Sequence, residues 1–164
     1  MTNPRTNPST NTHSDTSLPQ ANAARAAEPD VTTTTSLPLS EHFYSIQGEG
    51  NLTGVPSAFI RVSGCNLRCT WCDTPYASWK PESTKRSLDE LLAWVDTTHT
   101  RHAVLTGGEP MLFDAIVPLA QQLRARNIHI TIETAGTIFR DLPCDLMSIS
   151  PKLSNSTPSE DDPI

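Results

Sequence analysis

The chain has 164 residues, with 12 basic and 18 acidic side chains and a net charge of −6. That length suits one domain with a sizeable core, and the acidic balance argues against a surface that binds nucleic acid directly. No stretch is long and apolar enough to span a membrane.

Residues 1–36 hold 21 Thr, Ser, Asn or Pro and no Phe, Tyr or Trp. Such a segment cannot bury enough apolar surface to offset its ordering entropy, and it reads as a disordered tail. It has neither the apolar core of a secretory signal nor the basic bias of a transit peptide. The expected place is therefore the cytoplasm, where thiols stay reduced. The tail carries two basic and three acidic residues, and Glu160, Asp161 and Asp162 add three negative charges, so the body from 37 to 159 is left at −2.

Residues 57–62 read as a strand, with Ala58, Ile60 and Val62 facing one way and Phe59, Arg61 and Ser63 the other. The strand runs into Gly64-Cys65-Asn66-Leu67-Arg68-Cys69-Thr70-Trp71-Cys72-Asp73-Thr74, with three cysteines at C-x3-C-x2-C spacing. The set is odd, and the only other cysteine, Cys144, lies far along the chain, so a disulfide is a poor reading. Zinc is the better alternative, but it would want a fourth ligand. The next histidines, His99 and His102, stand more than twenty-five residues beyond Cys72. Three thiolates can hold three irons of a 4Fe–4S cluster and leave the fourth iron open to a small molecule. The tight spacing lets one loop wrap the cluster at little chain-entropy cost.

Ser87-Leu88-Asp89-Glu90 is a capping box that opens a helix to about Thr97, with Leu88, Leu91, Leu92 and Val95 on one face. Residues 103–106 read as the next strand and end in Thr106-Gly107-Gly108-Glu109-Pro110. Paired glycines at a strand end let the backbone approach a ligand closely, although Gly-Gly and Glu-Pro also serve as plain turn punctuation. Residues 114–126 read as a helix that must take Pro118 in its first turn or kink there. Residues 128–134 and 146–150 read as two more strands, ending in Glu133-Thr134-Ala135-Gly136 and Ser150-Pro151-Lys152. Strands alternating with helices imply an α/β fold with a parallel sheet and right-handed crossovers. Ligands then bind at the C-terminal strand ends, where each of these motifs falls.

The cysteine spacing followed by Thr106-Gly107-Gly108-Glu109-Pro110 resembles the radical S-adenosylmethionine (SAM) enzymes, with their cluster signature and GGEP motif. Phe43-Tyr44-Ser45-Ile46-Gln47-Gly48-Glu49-Gly50 and Gly54-Val55-Pro56-Ser57-Ala58-Phe59-Ile60-Arg61 lead directly into the loop. Together these are similar to the 7-carboxy-7-deazaguanine synthase family, also called QueE, over about residues 38–153. The resemblance implies a partial, modified (β/α)6 barrel, incomplete at its C-terminal end. Together with the composition of the two ends, it divides the chain into a tail over 1–36, a radical SAM core over 37–153 and an acidic, flexible end over 154–164.

The resemblance also implies a chemistry. A carbon–nitrogen lyase contracts the ring of 6-carboxy-5,6,7,8-tetrahydropterin to 7-carboxy-7-deazaguanine with loss of ammonia, supplying queuosine and other 7-deazapurines of transfer RNA. One electron from the cluster breaks SAM to a 5′-deoxyadenosyl radical, which takes a hydrogen atom from the pterin, and SAM is regenerated. No catalytic side chain is required, because the cofactors carry the hard chemistry. Cys65, Cys69 and Cys72 would hold the cluster, and Thr74 a Mg2+ ion. Trp71, Cys72 and Asp73, with Gly108 and Glu109, and then Ser150, Pro151 and Lys152, would meet SAM. Ile46, Gln47, Gly48, Arg61 and Thr106 would bind substrate. The implied partners are the pterin, an electron donor such as flavodoxin or ferredoxin, and a second copy in a homodimer, with no nucleic acid or membrane.

Each of these residues has a plainer reading. Arg61 offers a planar fork for a carboxylate but could be a surface ion pair on a strand. Gln47 can donate and accept at once, as a lactam-like edge requires. Trp71 could simply shield a cluster, and Thr74 could be a turn residue before Pro75. Glu109 could accept from the SAM ammonium or be a solvated charge opening a helix, and Lys152 could be a surface lysine. At the level of the whole chain, a glycyl-radical activating enzyme shares the cysteine spacing. A third possibility is an inactive cluster- or zinc-binding remnant, because the family continues with further strands where this chain runs into the loop-like Asn155-Ser156-Thr157-Pro158. The Gln47-Gly48-Glu49-Gly50 segment and its spacing to Arg61 favour the synthase.

Overall fold

The computed structural model describes residues 35–157. Residues 158–164 and all but the last two residues of the expected tail lie outside that range. One mixed sheet organises the described chain. Its strands are β1 (Ser36–Ile46), β2 (Pro56–Val62), β3 (Thr84–Ser87), β4 (His102–Gly107), β5 (His129–Thr134) and β6 (Leu146–Ile149), and their spatial order is β3-β1-β2-β4-β5-β6. Three helices, α1 (Pro75–Ser78), α2 (Leu88–Thr98) and α3 (Ile116–Ala125), complete the frame, with a short 3-10 turn at Ser154–Ser156.

The parallel sheet read from the sequence holds for β2, β4, β5 and β6. The other side differs. β1 runs antiparallel to β2, and β3 antiparallel to β1. Neither strand was expected. β3 is the polar tetrapeptide Thr-Lys-Arg-Ser, and β1 interleaves Pro38, Glu41 and His42 among its apolar residues, so no clean period of two marks either. Cross-strand pairing supplies what their own sequence does not.

The capping box on α2 is present. The Ser87 hydroxyl accepts the Glu90 N–H at 3.2 Å, and the Glu90 carboxylate accepts the Ser87 N–H at 2.8 Å. Pro118 is the third residue of α3, where a missing N–H costs nothing. Both helices cover one face of the sheet. Leu88, Leu91, Leu92 and Val95 of α2, with Ile116, Leu119 and Leu123 of α3, pack on Ile60, Leu105, Ile130 and Ile132. Each such side chain contributes about 1.5–3 kcal/mol by leaving water.

The other face alternates with this core and carries cross-strand rows fixed by register. One row runs Glu41, Arg61, Thr106 across β1, β2 and β4, and Glu133 pairs with Ser148 at the matching level of β5 and β6. Below it lies Phe43, Phe59, Val104, Thr131, Leu146. At the N-terminal ends of the parallel strands, the Ser57 hydroxyl stands 2.6 Å from His102 Nδ1, and His102 Nε2 stands 2.8 Å from the Thr131 hydroxyl.

Candidate active site

The cysteine loop leaves β2 through Ser63 and Gly64 and is rooted by backbone contacts. Gly64 N–H donates to the Ala77 carbonyl at 2.7 Å, and Glu109 N–H donates to the Gly64 carbonyl at 2.9 Å. The paired glycines at the end of β4 make this possible. Gly107 has φ +133°, and a Cβ there would stand 2.3 Å from the Val62 carbonyl oxygen. A Cβ on Gly108 would stand 2.2 Å from the Gly64 oxygen and 2.7 Å from the Ala77 oxygen. The close approach expected of these glycines is therefore first an approach to the root of the cysteine loop.

The loop is held along its length. Arg68 Nη1 donates to the carbonyls of Cys65 and Leu67 at 2.9 and 2.8 Å. Trp79 Nε1 donates to the Cys69 carbonyl at 3.0 Å, and Thr70 N–H reaches the Ser156 carbonyl at 3.0 Å. All four cysteines are free thiols. Burial pushes the Cys65 thiol up from its ordinary value, partly offset by the Leu67 N–H that its sulfur accepts at 3.4 Å. Cys72 Sγ lies 3.0 Å from the Ser78 hydroxyl. Among the described residues no three Cys, His, Asp or Glu side chains converge on a single-ion site. Cys65, Cys69 and Cys72 instead share the wall of one cavity of about 570 Å³. Three soft sulfur donors on one cavity, an odd set with no fourth partner, fit an iron–sulfur cluster with one iron left open.

The same cavity gathers most of the residues singled out in the sequence. Gln47, Gly48, Arg61 and Thr106 line it; so do Trp71, Asp73 and Thr74, and Gly108, Ser150 and Lys152. Ile46, Glu109 and Pro151 are not on its wall. Ile46 is 62 % exposed at the end of β1. Glu109 is no solvated charge: it is fully buried, and its carboxylate accepts the Thr134 hydroxyl and the N–H groups of Met111 and Ala135. Arg61 makes the ion pair that was its plainer reading, its Nε donating to Glu41 at 2.7 Å, and it also lines the cavity. Lys152 Nζ donates to the Ser150 hydroxyl at 2.9 Å. Thr74 Oγ1 lies 3.4 Å from an Asp73 carboxylate oxygen, so two hard oxygen donors stand together.

Glu133 opens the strand end Glu133-Thr134-Ala135-Gly136, which the family resemblance puts near the SAM pocket without naming its contacts. It lines the cavity, and one of its oxygens accepts the Gln47 amide at 2.9 Å. The Gln47 carbonyl is taken by the N–H groups of Gly48 and Glu49, at 2.8 and 3.3 Å. Phe59, Ser78 and Ser148 also line the wall. The period of two along β5 marks Glu133 as facing away from Ile132, but only the register across β4, β5 and β6 shows what it faces.

A family model described as the Radical SAM superfamily matches residues 59–155. The chain belongs to that superfamily. Membership of the radical SAM superfamily implies a 4Fe–4S cluster and SAM, in keeping with the thiol-lined cavity. Among curated proteins, the chain is 55 % identical over 139 residues to the 7-carboxy-7-deazaguanine synthase of Rhodopirellula baltica, covering 85 % of this chain and 52 % of that protein. It is 54 % identical over 130 residues to the synthase of Halobacterium salinarum, covering 78 % of this chain and 51 % of that protein. The crystal structure of QueE from Escherichia coli superposes with a TM-score of 0.65 at 33 % identity, over 73 % of this chain and 61 % of that one. The chain spans about half the length of the curated relatives it matches. Among the described residues no helix of this radical SAM chain is long and apolar enough to cross a membrane.

Proposed function

We propose that this radical SAM chain acts as a 7-carboxy-7-deazaguanine synthase. It takes 6-carboxy-5,6,7,8-tetrahydropterin to 7-carboxy-7-deazaguanine with release of ammonia, a carbon–nitrogen lyase step toward queuosine and other 7-deazapurines. The observation that carries this reading is the row Arg61–Thr106 with Glu133, on the same cavity as Cys65, Cys69 and Cys72. A planar carboxylated heterocycle needs a cation for its carboxylate and acceptors for its ring N–H groups, and the row offers both. The similarity to proteins named 7-carboxy-7-deazaguanine synthase favours this reading over a glycyl-radical activating enzyme.

Cys65, Cys69 and Cys72 would hold the cluster, which with SAM would supply hydrogen-atom abstraction chemistry at this cavity. Arg61 binds the pterin carboxylate, and Thr106 beside it orients the same end. Gln47 fixes Glu133 through one oxygen, leaving the other for a ring N–H. Gly48 closes the ring-edge side, next to Ile46, which stands off the wall. Trp71, Cys72, Asp73, Gly108, Ser150 and Lys152 of the wall, with Pro151 between the last two, would hold SAM, and Glu109 acts from behind the wall by holding the Thr134–Ala135 turn. Thr74 would hold Mg2+ through its hydroxyl, a hard oxygen donor of the kind that ion prefers. A one-electron donor protein such as flavodoxin or ferredoxin, a homodimer and a cytoplasmic location complete the proposal.

Anaerobic turnover tests it. The 164-residue chain, reconstituted with iron and sulfide, is given SAM, Mg2+, a reductant and 6-carboxytetrahydropterin. 7-Carboxy-7-deazaguanine seen by mass spectrometry supports the assignment. A formed cluster without product, beside an active full-length relative, overturns it for this chain.

A further inference from the structure

Among the described residues Arg61 is the one guanidinium on the cavity wall, and groups off that wall hold it in place. Glu41 stands directly opposite Arg61 in the β1–β2 register and accepts its Nε–H at 2.7 Å. Two residues on, Phe43 sets its ring 5.8 Å from the Arg61 Cζ and stacks on Phe59 with centroids 4.9 Å apart. Nη1 and Nη2 have no protein partner among the described residues. With Nε engaged and one face on an aromatic ring, the end-on Nη1/Nη2 pair is the part of the fork left for a carboxylate.

The same Glu41 oxygen accepts the Tyr76 hydroxyl at 3.0 Å. Tyr76 is the second residue of α1, which begins directly after Cys72-Asp73-Thr74. One carboxylate oxygen therefore joins β1, β2 and the segment leaving the cysteine loop, although neither Glu41 nor Tyr76 lines the cavity.

We infer that Glu41 is a positioning residue: it fixes Arg61 so that the Nη1/Nη2 pair meets a substrate carboxylate, and through Tyr76 it locks that clamp to the cysteine loop. The inference rests on the reading of this cavity as the site of a carboxylated pterin. It runs against simple charge arithmetic, which gives it a sharp test. A carboxylate beside an anion site repels the anion, so deleting Glu41 for its charge alone would tighten binding. Deleting it as the group that orients Arg61 weakens binding.

The test uses the full chain with two probes, 6-carboxypterin and unsubstituted pterin, titrated by their own fluorescence. Glu41→Ala weakens 6-carboxypterin about tenfold, the scale of one charge-assisted hydrogen bond, and leaves pterin unchanged. Glu41→Gln, whose amide oxygen still accepts from Nε, retains the affinity. Tyr76→Phe costs roughly two- to threefold alone and nothing further in the Glu41→Ala background, as a shared pathway requires. Equal or tighter 6-carboxypterin binding by Glu41→Ala overturns the inference, as does equal loss of both probes. A full Tyr76→Phe effect in the double variant overturns the link to the loop. A ligand-free readout stands beside these. The Arg61 Nε–H resonance, assigned by its disappearance in Arg61→Lys, exchanges slowly in wild type and Glu41→Gln and rapidly in Glu41→Ala; unchanged exchange overturns the bracket. A wild-type chain that binds both pterins equally overturns the pterin-carboxylate reading itself, and the resonance then decides separately whether Glu41 holds Arg61.

Discussion

The buried carboxylate of Glu109 accepts the hydroxyl of Thr134 at 2.7 Å, tying the end of β4 to the end of β5. It also takes the Met111 and Ala135 N–H groups, at 3.0 and 2.9 Å. Glu109→Gln turns one acceptor into a donor facing these groups. The expected cost is about 1–3 kcal/mol of stability, read from the denaturant midpoint. A midpoint equal to wild type would mean that the carboxylate does not hold the two strand ends together.

Two glycines of the cavity wall should respond in opposite ways to an added methyl. Gly108→Ala drives a Cβ to 2.2 Å from the Gly64 carbonyl oxygen, a backbone atom with nowhere to go, whereas nothing lies within 4 Å of a Cβ on Gly48. Gly108→Ala is expected to lose at least about 1–3 kcal/mol and to bind less iron after reconstitution. Gly48→Ala should stay within about 0.5 kcal/mol of wild type. Paired melting curves and iron assays decide it, and equal stability of the two variants would contradict the packing.

The cysteines separate by place. Cys65, Cys69 and Cys72 line the cavity, while Cys144 packs against the core. Cys69→Ala should abolish iron and sulfide uptake, and Cys144→Ala should leave both at the wild-type level. Full uptake by Cys69→Ala would remove the cluster from this loop.

Acid should weaken the fold at the end of the sheet opposite the cavity. Burial, and then the neighbouring His129, lowers the His102 pKa from its ordinary 6.5. The unfolded chain therefore takes up this proton at a higher pH than the native one. The contribution is fully present above pH 6.5 and is lost as pH falls from there toward the native value. Asp145 and Glu90, both lowered from ordinary values of 3.8 and 4.5, act only in a more acidic window. Melting temperature should fall between pH 7 and pH 5.5, with a shallower slope in His102→Asn. Identical slopes would assign the loss to other groups.

Much of this fold is legible in the sequence where structure is local. The capping box and apolar stripe of α2 and the first-turn Pro118 of α3 depend on neighbours within a few residues, and the chain states them. β1 and β3 depend on partners far along the chain, and their polar interruptions hide them. The site divides in the same way. The cysteine loop and Gly107-Gly108 are spacing motifs, and Arg61 and Thr106 sit beside them. Glu133 and Ser148 become part of the site only through the register of β5 with β6, and Glu41 only because an antiparallel strand puts it opposite Arg61.

Along β2, β4 and β5, core and chemistry occupy adjacent residues: Ile60 beside Arg61, Leu105 beside Thr106, Ile132 beside Glu133. Each pair shares one peptide unit, so the strand acts as a lever between the helix layer and the cavity. A methyl group removed from Ile132 would leave a void, and any relaxation of the strand into it would carry Glu133 along. Packing in the oily layer and the placing of the cavity's polar groups are therefore not independent, because one strand backbone serves both.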